Sequence, residues 1–202
     1  MKQYVTADLH FGHANIIKYC KRPFKSLAEM NRTIITNFNT ILKDDDMIYH
    51  IGDWCFRNSP GGKKGEGSQN KALTYLKKLK GFWVLLKGNH DRNNSLKTKM
   101  ISCVVEFAHV KMWLTHRPQD ANPDYEINLV GHVHGAWKIQ RLTKNSIMYN
   151  VGVDVHNFKP ITLDQVITDV NRFKREEKNG KKRTNKQEGS SDSKKRDKPQ
   201  KK

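Results

Sequence analysis

The chain is poor in acidic residues and cysteine, and it has no long apolar run. No stretch approaches the roughly 18 apolar residues of a membrane span, so no transmembrane helix and no membrane partner are expected. Residues Met1-Lys2-Gln3-Tyr4-Val5-Thr6 lead straight into the polar block Asp8-Leu9-His10, unlike a signal peptide. The 3 cysteines, Cys20, Cys55 and Cys103, are odd in number and show no CxxC spacing. That argues against a disulfide scaffold or a thiolate zinc site and suits free thiols in a reducing compartment, here the cytoplasm. Cys55 follows Asp53 by two positions and reads as a packing residue or a neighbour of the site. Only 20 Asp and Glu oppose 38 Lys and Arg, a net charge of +18 with pI near 9.9. Such basicity favours anionic partners such as nucleotides and nucleic acid, or serves only solubility.

The 202 residues suffice for one α/β domain with a proper core, although only 36% are hydrophobic. Ser26-Leu27-Ala28-Glu29 is a capping box, and Leu27, Met30, Ile34, Phe38 and Ile41 follow at helical spacing, predicting a helix over 27–42. Strands are expected at 47–51, 82–86, 104–110, 111–115, 127–130 and 147–151. The glycine-rich stretch 58–67 reads as a loop. Ser68 can cap a helix carrying Ala72, Leu73, Leu76 and Leu79, closed by Gly81. Thr162-Leu163-Asp164-Gln165 starts another helix, through Val166, Val170 and Phe173. The folded domain is expected over 1–176. Residues 177–202 form a Lys/Arg-rich tail that reads as disordered, with the basic runs Lys181-Lys182-Arg183 and Lys194-Lys195-Arg196. Those runs would add phosphate contacts to a nucleic acid or would only solubilise the end.

Short polar blocks follow the apolar runs. They are Asp8-Leu9-His10, Gly52-Asp53, Gly88-Asn89-His90-Asp91, His116 and Gly131-His132-Val133-His134. Side chains at i and i+2 of a strand share a face, so Asp8 should project with His10 and His132 with His134. Mixed carboxylate and imidazole sets suit Mn²⁺, Fe²⁺, Ni²⁺ or Zn²⁺. Ligands beyond the carboxyl ends of strands are the rule in open α/β sheets. Asp-x-His and Gly-Asp are individually common. Gly-Asn-His-Asp arises by chance on the order of once per thousand chains of this length, so the ordered set is informative.

That set resembles the calcineurin-like metallophosphoesterases over about residues 1–157, especially the compact single-domain members of phage and bacterial genomes. The resemblance implies a four-layer α/β/β/α sandwich with two mixed sheets flanked by helices. It implies a first metal held by Asp8, His10, Asp53 and His134, and a second held by Asp53, Asn89, His116 and His132, with Asp53 as bridge. Two divalent ions are thus expected, Mn²⁺ first among the candidates. A bridging carboxylate can span ions roughly 3.5–4 Å apart. The implied reaction is phosphoester hydrolysis by a metal-bridging hydroxide. His90 would stabilise the transition state or protonate the leaving group. Asp91 would orient His90, and Gly88 would allow the tight turn that lets the adjacent Asn89 and His90 take different roles.

Other residues carry two readings. His13, Arg57 and Arg117 are candidate phosphate contacts, or a packing histidine and two solvated arginines. His50 reads as a satisfied core histidine; His109 and His156 have no matched role. Trp54, Phe56 and Trp137 flank the ligand blocks for packing or base stacking. The expected activity is a dinuclear-metal phosphodiesterase on nucleotide or nucleic-acid phosphoesters. A phosphomonoesterase is the alternative, and a non-catalytic nucleic-acid-binding or scaffold protein a further one. A phage-encoded chain would work in the host cytoplasm. No signal for oligomeric state is readable.

Overall fold

The computed structural model describes residues 1–56, 72–93, 96 and 98–192. The expected loop 58–67, the Ser68 cap and Arg57 lie outside the described residues. The chain forms two units, Met1–Val166 and Ile167–Lys202.

The first unit is mixed α/β, with two mixed sheets and helices, as the sequence suggests. In the first sheet β1 (Gln3–Thr6), β2 (Met47–Ile51) and β3 (Phe82–Leu86) run parallel. The two-residue β9 (Ile161–Thr162) pairs antiparallel with β1, giving the order β3-β2-β1-β9. The second sheet has the order β4-β5-β6-β8-β7. Its central strands β5 (Val110–Thr115), β6 (Ile127–Val130) and β8 (Ile147–Asn150) are parallel. Its edges β4 (Ser102–Phe107) and β7 (Ile139–Arg141) are antiparallel.

Sequence periodicity places β2, β3 and β6 to the residue. It misplaces the break between β4 and β5. Ala108 and His109, both at positive φ (48° and 62°), form a two-residue turn between those strands. Such turns twist with the flanking strands, but their sequence signal is normally Asn-Gly or Asp-Gly, absent here. The short β7 and β9 carry no periodic signal. Neither does α1 (Ile16–Tyr19), a single helical turn.

Helix α2 (Leu27–Ile41) forms for the reasons read above. The Ser26 hydroxyl accepts from Glu29 N–H, and the Glu29 carboxylate accepts from Lys25 N–H at 2.7 Å. Its buried stripe Met30, Ile34 and Phe38 recurs every four residues. It packs with Leu9, Phe11, Ile48, Trp54 and Tyr75 in one apolar cluster. Burial of such side chains stabilises by about 1.5–3 kcal/mol each. Helix α3 (Ala72–Leu76) adds Ala72 and Tyr75 to this cluster, and Gly81 (φ +88°) turns the chain into β3.

Helix α4 spans Leu163–Asp192, begun by the Thr162 hydroxyl accepting from Gln165 N–H. It continues the helix read through Val166, Val170 and Phe173. Residues 193–202 lie outside the described residues. No helix among the described residues is long and apolar enough to cross a membrane.

Candidate metal centre

The site is built by the loops that leave the strands. After β1 the backbone stays beside the loop after β2: Asp8 N–H donates to Gly52 O, His10 N–H to Asp53 O and Phe11 N–H to Trp54 O. Ala7 pairs with Gly152, and Gly131 N–H donates to His116 O, joining the loops of both sheets. Five of the seven expected ligands sit in the left-handed region: Asp8 (φ 58°), His10 (50°), Asp53 (59°), His132 (71°) and His134 (47°). Few non-glycine residues adopt it, and each costs on the order of 1 kcal/mol. This corrects the strand-alternation argument. Asp8 and His10 project together because left-handed residues alternate with Leu9 beyond the end of β1, and His132 and His134 repeat the device around Val133.

The expected ligands converge. Asp8, His10 and His134 have donor atoms within 4.8 Å of one another, and so do Asp53, His116 and His132. Asp53 Oδ2 lies 3.5 Å from His10 Nε2 and 3.3 Å from His116 Nε2, between the two groups. Asn89 Oδ1 is 3.0 Å from His116 Nε2. His10 Nε2 is buried without a hydrogen-bond partner among the described residues. Burying an imidazole nitrogen unpaired is costly. An orphan nitrogen beside a carboxylate oxygen therefore fits two divalent ions in an N/O donor set, with Asp53 shared. His90 also has a ring nitrogen near His10 and Asp53, so the first group has a fifth donor within reach.

The electrostatics agree. Burial pushes Asp8 up to about 6, against the lowering effect of His116 and His134. Burial would also raise Asp53, but its hydrogen bond to the protonated His116 holds it well below the usual carboxylate range. Burial lowers His116, yet the Asp53 hydrogen bond and the Asp8 charge lift it to about 9. His10, buried throughout, is pushed far down and stays neutral. The carboxylate charge is thus met by protons on imidazoles. Divalent cations would meet the same charge and release those protons.

A supporting layer escaped sequence reasoning. Arg22 is 4% exposed. Its Nε and Nη2 each donate to Asp154 at 2.8 Å, and Nη2 also donates to Asp8 O at 2.7 Å. Asp154 in turn pairs with His134 Nδ1 at 2.9 Å. Burial lowers His134, but this Asp154 hydrogen bond, with one to Cys20, lifts it to about 10. The other ring nitrogen of His134 is thereby turned toward Asp8 and His10. His116 Nδ1 bonds Ile51 O at 2.8 Å, fixing its Nε2 toward Asp53. Asn150 Nδ2 donates to His134 O and Trp137 O, holding the last ligand loop. Arg22, Asp154 and Asn150 carry no motif; only their burial, invisible in one sequence, marks them.

The structure shows what Asp91 and Gly88 touch within Gly-Asn-His-Asp. Asp91 Oδ2 accepts from Asp53 N–H and Gly88 N–H at 2.8 Å each, and Oδ1 accepts from Trp54 N–H at 3.0 Å. Asp91 therefore pins the Asp53 turn. His90 N–H donates to Asp53 Oδ1 at 2.8 Å, which fixes its backbone. Gly88 is needed for close approach rather than for an unusual φ: a Cβ there would overlap the Asp53 carboxylate and amide.

His13 is buried, stacks on Phe56 at 4.0 Å between ring centroids, and lies 3.3 Å from His10 through Nδ1. Burial and the neighbouring His90 push it down to about 4, so it is uncharged at neutral pH. That weakens it as a phosphate contact. Arg117 lines a cavity of about 520 Å³ with Asn89 and His116. His50 is buried, but neither ring nitrogen has a partner among the described residues, which overturns the satisfied reading. It is held between β1 and β3, edge-on to Trp54 at 5.0 Å. Trp54 is a core residue and His109 an exposed turn residue. His156 is buried, stacks on Tyr149 and bonds Asn150 O. Cys55 is buried, and its thiol is pushed up to about 12, as a packing residue requires.

Comparison with known proteins agrees with this geometry. The chain is 35% identical over 173 residues to an uncharacterised protein of Methanocaldococcus jannaschii, covering 82% of this chain and 89% of that one. A protein of unknown function from Aquifex aeolicus has a similar structure, at TM-score 0.63 and 25% identity, over 83% of this chain and 98% of that chain. The family model described as calcineurin-like phosphoesterase matches residues 1–197. With its Asp, Asn and His side chains gathered around Asp53, the chain belongs to the calcineurin-like phosphoesterase family.

Proposed function

We propose that the protein is a dinuclear-metal phosphodiesterase acting on nucleotide or nucleic-acid phosphoesters. Metal-dependent phosphoester hydrolysis is what the family implies. The observation that carries the diester reading is that, among the described residues, cavities border the ligand cluster on two sides. One, of about 580 Å³, is lined by Asp53, His90, His132 and His134. The other, of about 520 Å³, is lined by Asn89, His116 and Arg117. A phosphodiester carries two substituents on phosphorus, one for each cavity, whereas a monoester fills only one.

Asp8, His10, Asp53 and His134 would hold one ion, and Asp53, Asn89, His116 and His132 the other. When bound, the pair supplies Lewis-acid activation and neutralises charge on the phosphoryl oxygens. The chain's own residues do the rest. Arg22 and Asp154 keep His134 oriented, and Asp91 fixes Asp53. His90, tethered through its N–H to Asp53, presents its ring to the larger cavity. There it can hold or deliver a proton at the leaving oxygen.

The test is a screen of Mn²⁺-reconstituted protein with a chromogenic phosphodiester and its monoester. A kcat/KM for the diester at least about tenfold above that for the monoester is expected, equivalent to about 1.4 kcal/mol in the barrier. Preference for the monoester would establish a phosphatase. Hydrolysis of neither, with two ions bound, would contradict an enzyme.

A further inference from the structure

The two cavities differ in chemistry, and that difference names a substrate class within the diesterase reading, on which this inference rests. The cavity beside His90, His132 and His134 is also lined by His13, Ile16, Tyr19 and Phe56. His13 and Phe56 stack as a pair, and Tyr19 stands edge-on to His13 at 6.3 Å. Tyr19 is 70% exposed, among the most open large hydrophobic side chains described. A ring left in water at the mouth of a cavity is available for stacking. It is flanked by the exposed Lys18 and Lys21, and no acidic residue occurs between positions 9 and 28. Basic residues interleaved with an exposed ring are the pattern by which proteins grip a single strand: bases stack while cations follow the backbone.

The other cavity has the complementary character. Lys87 and Arg117 line it with Asn89 and His116, while Ser102, Thr115 and Trp113 add polar groups and an apolar wall. Asp120 is the acidic group on this lining, and its backbone carbonyl is occupied by Trp113 Nε1 at 3.1 Å. Two cations beside the ligand cluster suit a second, unreacted phosphate.

We infer that the site takes single-stranded nucleic acid, with a base stacked on Tyr19 on one side of the scissile phosphate and the neighbouring phosphate held by Lys87 and Arg117. A cyclic nucleotide would leave the Lys87 cavity without an anion. Cleavage of the strand follows the diesterase reaction proposed above and needs no other reactant.

The experiment measures binding apart from turnover. Metal-loaded protein is titrated into a fluorescently labelled hexathymidylate with a phosphorothioate backbone, at a series of salt concentrations. Tyr19→Ala should weaken binding about tenfold, within the range for loss of one stacked base, and Tyr19→Phe should restore it. The double substitution Lys87→Ala, Arg117→Ala should lower the salt slope by about 0.7, the value for one single-strand phosphate contact. Unchanged affinity in Tyr19→Ala, equal loss in Tyr19→Phe, or an unchanged salt slope would each overturn the inference. Because wild-type hydrolysis of the chromogenic diester is read separately, failure of the strand site is distinguishable from failure of the diesterase reading.

Discussion

At the scale of single residues, the site works by division of labour among neighbours. His90 is tied by its backbone to Asp53, the residue between the two ligand groups, and its ring faces a cavity. His90→Ala should therefore keep both ions while lowering kcat by roughly 10²–10⁴-fold, the range for loss of a general acid. Metal stoichiometry measured alongside kcat checks this, and an unchanged kcat would reject the role. His50 gives a prediction of another kind. Its burial drives its pKa in the fold down to about 3, against about 6.5 in the unfolded chain. Between those values the unfolded state binds a proton that the folded state refuses. Stability is thus retained above about pH 6.5 and falls as pH drops toward 3, by about 1.4 kcal/mol per pH unit from this group alone. Urea unfolding between about pH 6 and pH 4 should show a shallower fall in His50→Leu than in the native protein. Equal slopes would show that His50 does not contribute. The ligands were legible in the sequence because metal chemistry restricts residue type. His50 was misjudged because a sequence shows that a histidine lies in a strand, not whether anything is aimed at its nitrogens.

Among elements, β1, β2, β3, β5 and β6 each end in a loop that delivers ligands, and the loops are tied together by backbone hydrogen bonds and close approach. Gly88 marks the tightest approach, against Asp53. Gly88→Ala should separate the Asp53 and Asn89 loops and weaken metal binding by at least about tenfold, even though alanine leaves every ligand in place. Calorimetric titration with Mn²⁺ checks this, and native affinity would mean that the loops can part without cost. The parallel strands were readable because each is a compact apolar run followed by a polar block. The left-handed ligands were not, because Asp and His at positive φ carry no pattern of their own. Only the surrounding hydrogen bonds and packing hold that strain in place. The hairpin turn Ala108-His109 escaped for a similar reason, since its residues are not the usual turn formers.

For the whole molecule, basic charge is spread over both the folded region and the end of the chain: residues 174–202 hold 13 Lys and Arg against 5 Asp and Glu. Truncation after Lys178 should leave hydrolysis of a small diester within about twofold and reduce the salt dependence of nucleic-acid binding, because counterion release scales with the phosphates contacted. Loss of small-diester hydrolysis would instead place the end of the chain in the fold or the site. The fold class and the family were legible because catalysis at phosphorus needs one ordered set of ligands. The substrate was less so, because Tyr19 and Lys87 are ordinary residues until the fold brings them beside the ligand cluster. The central claim is that Asp53 is shared by two ions. Mn²⁺ binding to the native protein and to Asp53→Asn, read by calorimetry and elemental analysis, tests it most directly. Two ions per native chain and loss of both together in the variant are predicted; two tightly bound ions in Asp53→Asn would contradict it.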